Sequence, residues 1–285
     1  MTRSTARRWR ISLVSNTPLV TLAAIWLALM LIAALFAPLL APYGFAEQQP
    51  LQRLSPPSLL GYDTNFWLGS DHLGRDVLSR TIFAIRFSIT LAVLGTLIGA
   101  MLGITLGMIA ARRRGWLGET IMTMVDIQAS LPFLIFAIIA VGLLGKSFWL
   151  IVIIIGFAGW ERYARLTRGL VLDAEANGYA GALRILGAKT PRIYVLHILP
   201  NILGTLLVQM TLSFPESILL ETGLSFLGLG VQPPLTSLGL MVSESRNYIV
   251  TAWWMAAAPS LAIVLTTLSF AIVGDWIRDK ISHSL

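Results

Sequence analysis

The fold predicted from this sequence is an all-α polytopic membrane protein with six transmembrane helices, and three observations lead to it. Of the 285 residues, 56% are hydrophobic and only 12% charged, where a soluble domain carries about 25% charged residues. The apolar residues are gathered into uncharged runs, several of them at or above the roughly 20 residues a helix needs to cross a bilayer. Lys and Arg sit at the ends of those runs. The net charge of +7 is therefore read as membrane topology and not as a nucleic-acid surface. The chain has no cysteine, which excludes disulfides and Cys-ligated metal sites.

The first span is Leu19–Ala41, 23 residues without a charge, preceded by Arg3, Arg7, Arg8 and Arg10. A signal-peptide core is only about 7–15 residues, so this run is expected to be a retained helix. The segment Pro42–Arg86 follows. Pro56-Pro57 and Gly61 mark its early part as irregular. Asp76–Arg86 is expected to form an interfacial helix with Val77, Leu78, Ile82 and Ile85 as its apolar face.

The second span is Phe87–Ala111, 25 uncharged residues between Arg86 and Arg112. Gly95, Gly99, Gly103 and Gly107 form a ridge without side chains along it. Such a ridge lets another backbone approach closely, either within this subunit (the favoured contact) or in a partner. The third span is Thr120–Leu144, uncharged except for Asp126, with Pro132 expected to bend it. The fourth, Phe148–Trp160, is short and is expected to be lengthened by the turn after it, where Arg162 and Arg165 can snorkel. The fifth is Ile202–Leu224, carrying Glu216 and Glu221, and the sixth is Ala252–Gly274.

Lys and Arg bias sets the orientation. With the N-terminus inside, 15 basic residues fall on the cytoplasmic side and six outside: Arg53, Arg75, Arg80, Arg86, Lys146 and Arg246. Both termini and the central loop, 161–200, then face the cytoplasm. The chain divides into an N-terminal region, 1–86, and a core of five spans, 87–285.

Charges inside a membrane are expensive and call for a function. Asp126, Glu216 and Glu221 are the candidates to line a translocation pathway, with a structural role as an equal alternative for Glu221. Glu216 and Glu221 lie about 140° apart on a helix. One is expected to face a water-filled cavity, and the other a helix partner or the outer surface.

The stretch Asp173–Asn201 is a polar, basic interruption containing a short amphipathic helix, Tyr179–Leu186, stopped by Gly187. It resembles the cytoplasmic "EAA" loop of the membrane subunits of ABC importers. Gly187 matches the pattern's Gly, and Leu199-Pro200 its Leu-Pro. Gly181, Leu183 and His197 depart from its Glu, second Ala and Ile. The run Leu68–Arg80, LGSDHLGRDVLSR, is similar to the dipeptide-permease branch. So are Ile218–Gly230, Gln232-Pro233-Pro234 and the closing Gly274-Asp275 and Arg278-Asp279, with Leu238 standing where many members carry Trp. From about Pro18 to Asp279 the chain resembles the C-type permease subunit of dipeptide/oligopeptide ABC importers.

That resemblance implies a type I importer fold in a bacterial cytoplasmic membrane. It also implies a homologous permease partner, two cytoplasmic ATPase subunits and an external substrate-binding protein. ATP and Mg would be bound by the ATPases, with no cofactor in this chain. The coupling residues would be Tyr179, Ala182, Leu183, Arg184, Leu186 and Gly187, with Leu183 and Leu186 as apolar contacts and Arg184 at the rim.

The chain is not expected to be an enzyme. Ala140–Ser147, AVGLLGKS, lacks the first glycine of a phosphate-binding loop. Gly223-Leu224-Ser225-Phe226-Leu227 fails the nucleophile-elbow pattern at its last position. The competing class is an ion-coupled secondary transporter relaying protons through Asp126, Glu216 or Glu221. Such carriers often contain internal repeats, and no clear one is seen here.

Overall fold

The computed structural model describes residues 18–113 and 115–282. The four N-terminal arginines lie outside the described residues. All regular elements among the described residues are helical: α1 (Pro18–Leu35), α2 (Ala37–Leu40), α3 (Val77–Arg112), α4 (Trp116–Ser130), α5 (Phe133–Leu144), α6 (Phe148–Phe157), α7 (Trp160–Ala176), α8 (Tyr179–Ile185), α9 (Thr190–Ile193), α10 (Leu199–Phe226), α11 (Leu238–Ser245) and α12 (Trp254–Ser282). A π turn, Tyr194–Ile198, joins α9 to α10, so the chain is helical without a break from Thr190 to Phe226.

Three expectations are corrected. The interfacial helix and the second span are one helix of 36 residues, α3. Asp76 caps it by accepting 2.7 Å and 2.6 Å hydrogen bonds from the Ser79 N–H and hydroxyl. No proline interrupts it before Arg112, so nothing separates an interfacial part from a crossing part. The line drawn between residues 86 and 87 falls inside this helix.

The expected third span is two helices, α4 and α5, at 93° to each other. Pro132 forces Leu131 into extended backbone, φ −83 and ψ 134, which ends α4. The bend is thus much sharper than a kink.

The expected fourth span is the ten-residue α6. It ends where Gly159 leaves helical geometry, φ −126 and ψ −3, and α7 starts afresh. Ten residues rise only about 15 Å, half the thickness of a bilayer core. Among the described residues, therefore, four helical stretches are long and apolar enough to cross a membrane: α1, α3, Thr190–Phe226 and α12. The bent α4–α5 pair makes a fifth if it is one span.

The glycine ridge of α3 packs within the subunit, against α6 and α7. A Cβ on Gly99 would stand 2.6 Å from the Gly156 carbonyl oxygen, one on Gly103 2.3 Å from that of Trp160, and one on Gly107 2.5 Å from that of Ala164. Backbone lies on backbone, so only glycine fits. At one end of α3, Val77, Ala84 and Ile85 join Ile218, Leu238, Met255 and Ile263 in a core shared by α10, α11 and α12. At the other end, Ala111 joins Val171, Ala174, Ala180, Ile193 and Leu206.

Candidate functional site

The segment after α7 is built to present a short helix. Gly178, φ +81, turns the chain out of α7, and Tyr179 opens α8. The helix ends at Ile185, one residue earlier than expected, because Leu186 takes φ −74 and ψ 4. Gly187 follows with φ +84. Its N–H donates to the Arg184 carbonyl at 3.0 Å, and the Ala188 N–H donates to that of Leu183 at 3.0 Å. These two bonds define a Schellman stop, which needs a left-handed residue where Gly187 stands.

The stop sorts the apolar residues. Leu183 and Ala188 turn inward, against the core around Ala111 and Val171. Ile185 and Leu186 point out, 89% and 82% exposed. Sequence reasoning paired Leu183 with Leu186 on one stripe and passed over Ile185. Leu186 lies beyond the helix end and out of phase, so the outward pair is Ile185 with Leu186. Ala182 and Arg184 are exposed. The Arg184 guanidinium donates 2.5 Å to Glu175 Oε1, which also accepts from the Tyr194 hydroxyl at 2.9 Å. Glu175 thus ties α8 to α7 and to the π turn.

The three intramembrane acids divide in two. Glu221 is fully buried. Its Oε1 accepts 2.7 Å from the Ser225 hydroxyl and its Oε2 accepts 3.3 Å from that of Ser88. Ser88 in turn accepts from the Leu238 N–H at 3.0 Å, so Glu221 joins α10, α3 and α11. Glu216 and Asp126, by contrast, are 49% and 67% exposed. Arg162 of α7 pairs with Glu216, and Arg165 pairs with Asp126 at 3.0 Å. Both arginines are engaged by acids of α10 and α4. Beneath the Arg162–Glu216 pair is a narrow cavity edged by Thr96, Tyr163, Ser213 and Ser217. The Tyr163 hydroxyl lies beside Ser213 there.

A third cluster gives the Leu68–Arg80 run its meaning. Asp71 Oδ1 accepts from the N–H groups of Leu73 and Arg75 at 2.8 Å and 2.9 Å. Asp71 Oδ2 pairs with Arg75 and Arg80, each at 2.6 Å. Both arginines also reach Glu244 of α11, at 3.3 Å and 2.8 Å. Gly74, φ +76, is where a Cβ would fall 2.1 Å from the Gln49 carbonyl oxygen. Burial pushes the Asp71 carboxyl up. The Arg80 charge, the Arg75 N–H and charge and the Leu73 N–H outweigh it, and hold the group below its ordinary 3.8. The run is a clamp that fastens the loop before α3 to α11.

Residues 103–285 match the family described as binding-protein-dependent transport system inner membrane component. Residues 9–57 match the N-terminal TM domain of oligopeptide transport permease C. The chain is 40% identical over 262 residues to the di/tripeptide transport system permease protein DppC of Pseudomonas aeruginosa, covering 92% of this chain and 86% of that one. Identity to the dipeptide transport system permease protein DppC of Escherichia coli K12 is 38%, covering 92% and 87%. Identity to the oligopeptide transport system permease protein OppC of Bacillus subtilis is 35%, covering 91% and 83%. Among solved structures, an inward-facing MetNI methionine ABC transporter chain superposes with a TM-score of 0.57 at 19% identity. The match covers 71% of this chain and 95% of that one, a likeness of fold. The chain belongs to the binding-protein-dependent transport system inner membrane components, in the branch of the DppC- and OppC-type permeases.

Proposed function

We propose that this chain forms half of the translocation pathway of an ATP-driven importer of peptides or similar small solutes. It works beside a homologous permease, two cytoplasmic ATPases that bind ATP and Mg, and an external binding protein. Both termini lie in the cytoplasm. The bent pair α4–α5 and the successive helices α6 and α7 supply the crossings that bring the total to six. The observation that carries this reading is the tip of α8. Ile185 and Leu186 stand out from a polar loop, at an angle fixed by the Gly187 stop, in a chain of this family.

In operation, α8 seats in a groove of an ATPase subunit, with Ile185 and Leu186 as its apolar contacts and Arg184 at the rim. Closure of the ATPases pushes α8. Glu175 and the inward-facing Leu183 pass the push to α7 and to the helix starting at Thr190, and the pathway changes its open side. Asp126 and Glu216, with Arg162 and Arg165, face that pathway. Glu221, enclosed among three helices, holds the frame. An ion-coupled carrier gains no support from Asp126 or Glu216. Each is held in an ion pair with an arginine of α7, which keeps its charge.

The test is Gly187→Arg, studied in the assembled transporter in proteoliposomes. The expected result is loss of ATP-driven uptake with normal insertion of the chain. Uptake at the unsubstituted rate would overturn the coupling role of this turn.

A further inference from the structure

Four charged side chains from three helices meet on one open face. Glu216 pairs with Arg162, Asp126 pairs with Arg165, and the two arginines are three residues apart on α7. Residues at that spacing are neighbours on a helix surface, so the array runs acid, arginine, arginine, acid. All four side chains are between 45% and 67% exposed. A charged face cannot lie against lipid tails without a heavy penalty, so water or polar solute must reach it. The two pairs carry two charges of each sign, and the mostly buried Glu161 adds a third carboxylate, 3.5 Å from the Arg162 guanidinium. Arg162 and Glu216 border a small cavity whose wall of glycine and apolar residues also carries the hydroxyls of Thr96, Tyr163, Ser213 and Ser217.

We infer that the Glu216–Arg162 and Asp126–Arg165 pairs form a transit subsite for zwitterionic solutes, which they hold by exchange of partners. A solute with a free ammonium and a free carboxylate brings both signs to the face. Its ammonium takes Glu216 or Asp126, and its carboxylate takes the guanidinium so released. Each exchange replaces one charge-assisted contact by another. The solute therefore gains a resting place without being trapped, which a pathway requires. A solute of single charge would strand one member of a pair. The inference rests on the proposal that this face lines the pathway.

The experiment uses the complete transporter in proteoliposomes with its binding protein and a radiolabelled dipeptide. This chain has no cysteine, so Leu220→Cys, which lines the same cavity and is none of the four charged residues, adds a single thiol to it; any cysteines in the partner subunits are first replaced. The rate of modification by a membrane-impermeant thiol reagent is measured with and without the dipeptide and ATP. In parallel, the double variants Arg162→Gln/Glu216→Gln and Arg165→Gln/Asp126→Asn are assayed for uptake and for ATP hydrolysis stimulated by the loaded binding protein. These variants remove both charges of a pair; in the first of them Glu161, 3.5 Å from Arg162, keeps its carboxylate.

The expected results are labelling at position 220, slowed at least about threefold by transported dipeptide, and a fall in uptake per ATP of about tenfold in each double variant. If position 220 is never labelled, the face does not line the pathway and both readings fall. If it is labelled but the dipeptide gives no protection, the subsite is overturned and the pathway reading stands. Unchanged uptake per ATP in both double variants has the same meaning. Should a double variant fail to assemble, the protection measurement on Leu220→Cys alone decides.

Discussion

Arg80 holds Asp71 at 2.6 Å with both side chains buried, 3% and 1% exposed. The pair fixes the loop at the start of α3, and through Glu244 it fixes α11 as well. Removing the arginine leaves a carboxylate with little water to replace it. Arg80→Ala is expected to destabilise the detergent-solubilised chain by about 3–5 kcal/mol, the usual cost of breaking a buried pair from one side. A lowered thermal unfolding midpoint would register it. An unchanged midpoint would show that Arg75 alone suffices.

The same pair gives the chain an acid limit. Asp71 titrates below its ordinary 3.8 when folded, so the unfolded state binds the proton more readily. The stability this contributes is fully present above about pH 4–5, near the ordinary carboxylate range. It is lost as pH falls through the depressed folded value. Unfolding midpoints measured from pH 7 down to pH 3 should fall for the unsubstituted chain. Asp71→Asn should start lower and show a shallower decline at the acid end.

The α3–α7 contact predicts a steep response to one methyl group. At Gly103 a Cβ would lie 2.3 Å from the Trp160 oxygen and 2.5 Å from the Tyr163 Cβ. Backbone on one side and a fixed side-chain root on the other leave nothing to swing aside. Gly103→Ala is expected to cost about 1–3 kcal/mol or more by overpacking. Gly169→Ala is the control, since nothing lies within 4 Å of its built Cβ. Equal melting of the two variants would refute the ridge.

Glu221 separates two roles by its substitutions. Glu221→Gln keeps acceptor capacity for Ser88 or Ser225 and should retain most of the stability. Glu221→Ala leaves both hydroxyls without their acceptor and should lose about 1–3 kcal/mol. Uptake should follow the amount of folded chain in both variants. A variant that folds fully and still loses uptake would place Glu221 in the pathway after all.

Much of this fold was legible in the residues. Four glycines spaced by four announced a close helix contact, and Gly187 announced a stop, because each demand falls on backbone that glycine alone serves. The broken crossings were harder. Hydropathy runs on smoothly through Pro132, while the 93° turn depends on how Leu131 resolves its clash with the proline ring. Nor does hydropathy distinguish ten residues of α6 from a full span. The ion pairs were out of reach for a different reason. Arg162 and Glu216 are 54 positions apart, and Arg165 and Asp126 are 39 apart. No periodicity within a helix indicates which acid of another helix an arginine will meet. The acids were found as a cost without a known compensation, and the arginines were not matched to them.

The single helix from Val77 to Arg112 has a mechanical meaning. At 1.5 Å per residue its 36 residues make a rod of about 54 Å, well beyond a hydrocarbon core of about 30 Å. One end is bolted by Asp76 and the arginine clamp, and the other abuts the core that carries α8. A rod without a joint cannot absorb a displacement midway. Whatever tilts its capped end must swing the base of α8 in the opposite sense, like the two arms of a balance beam.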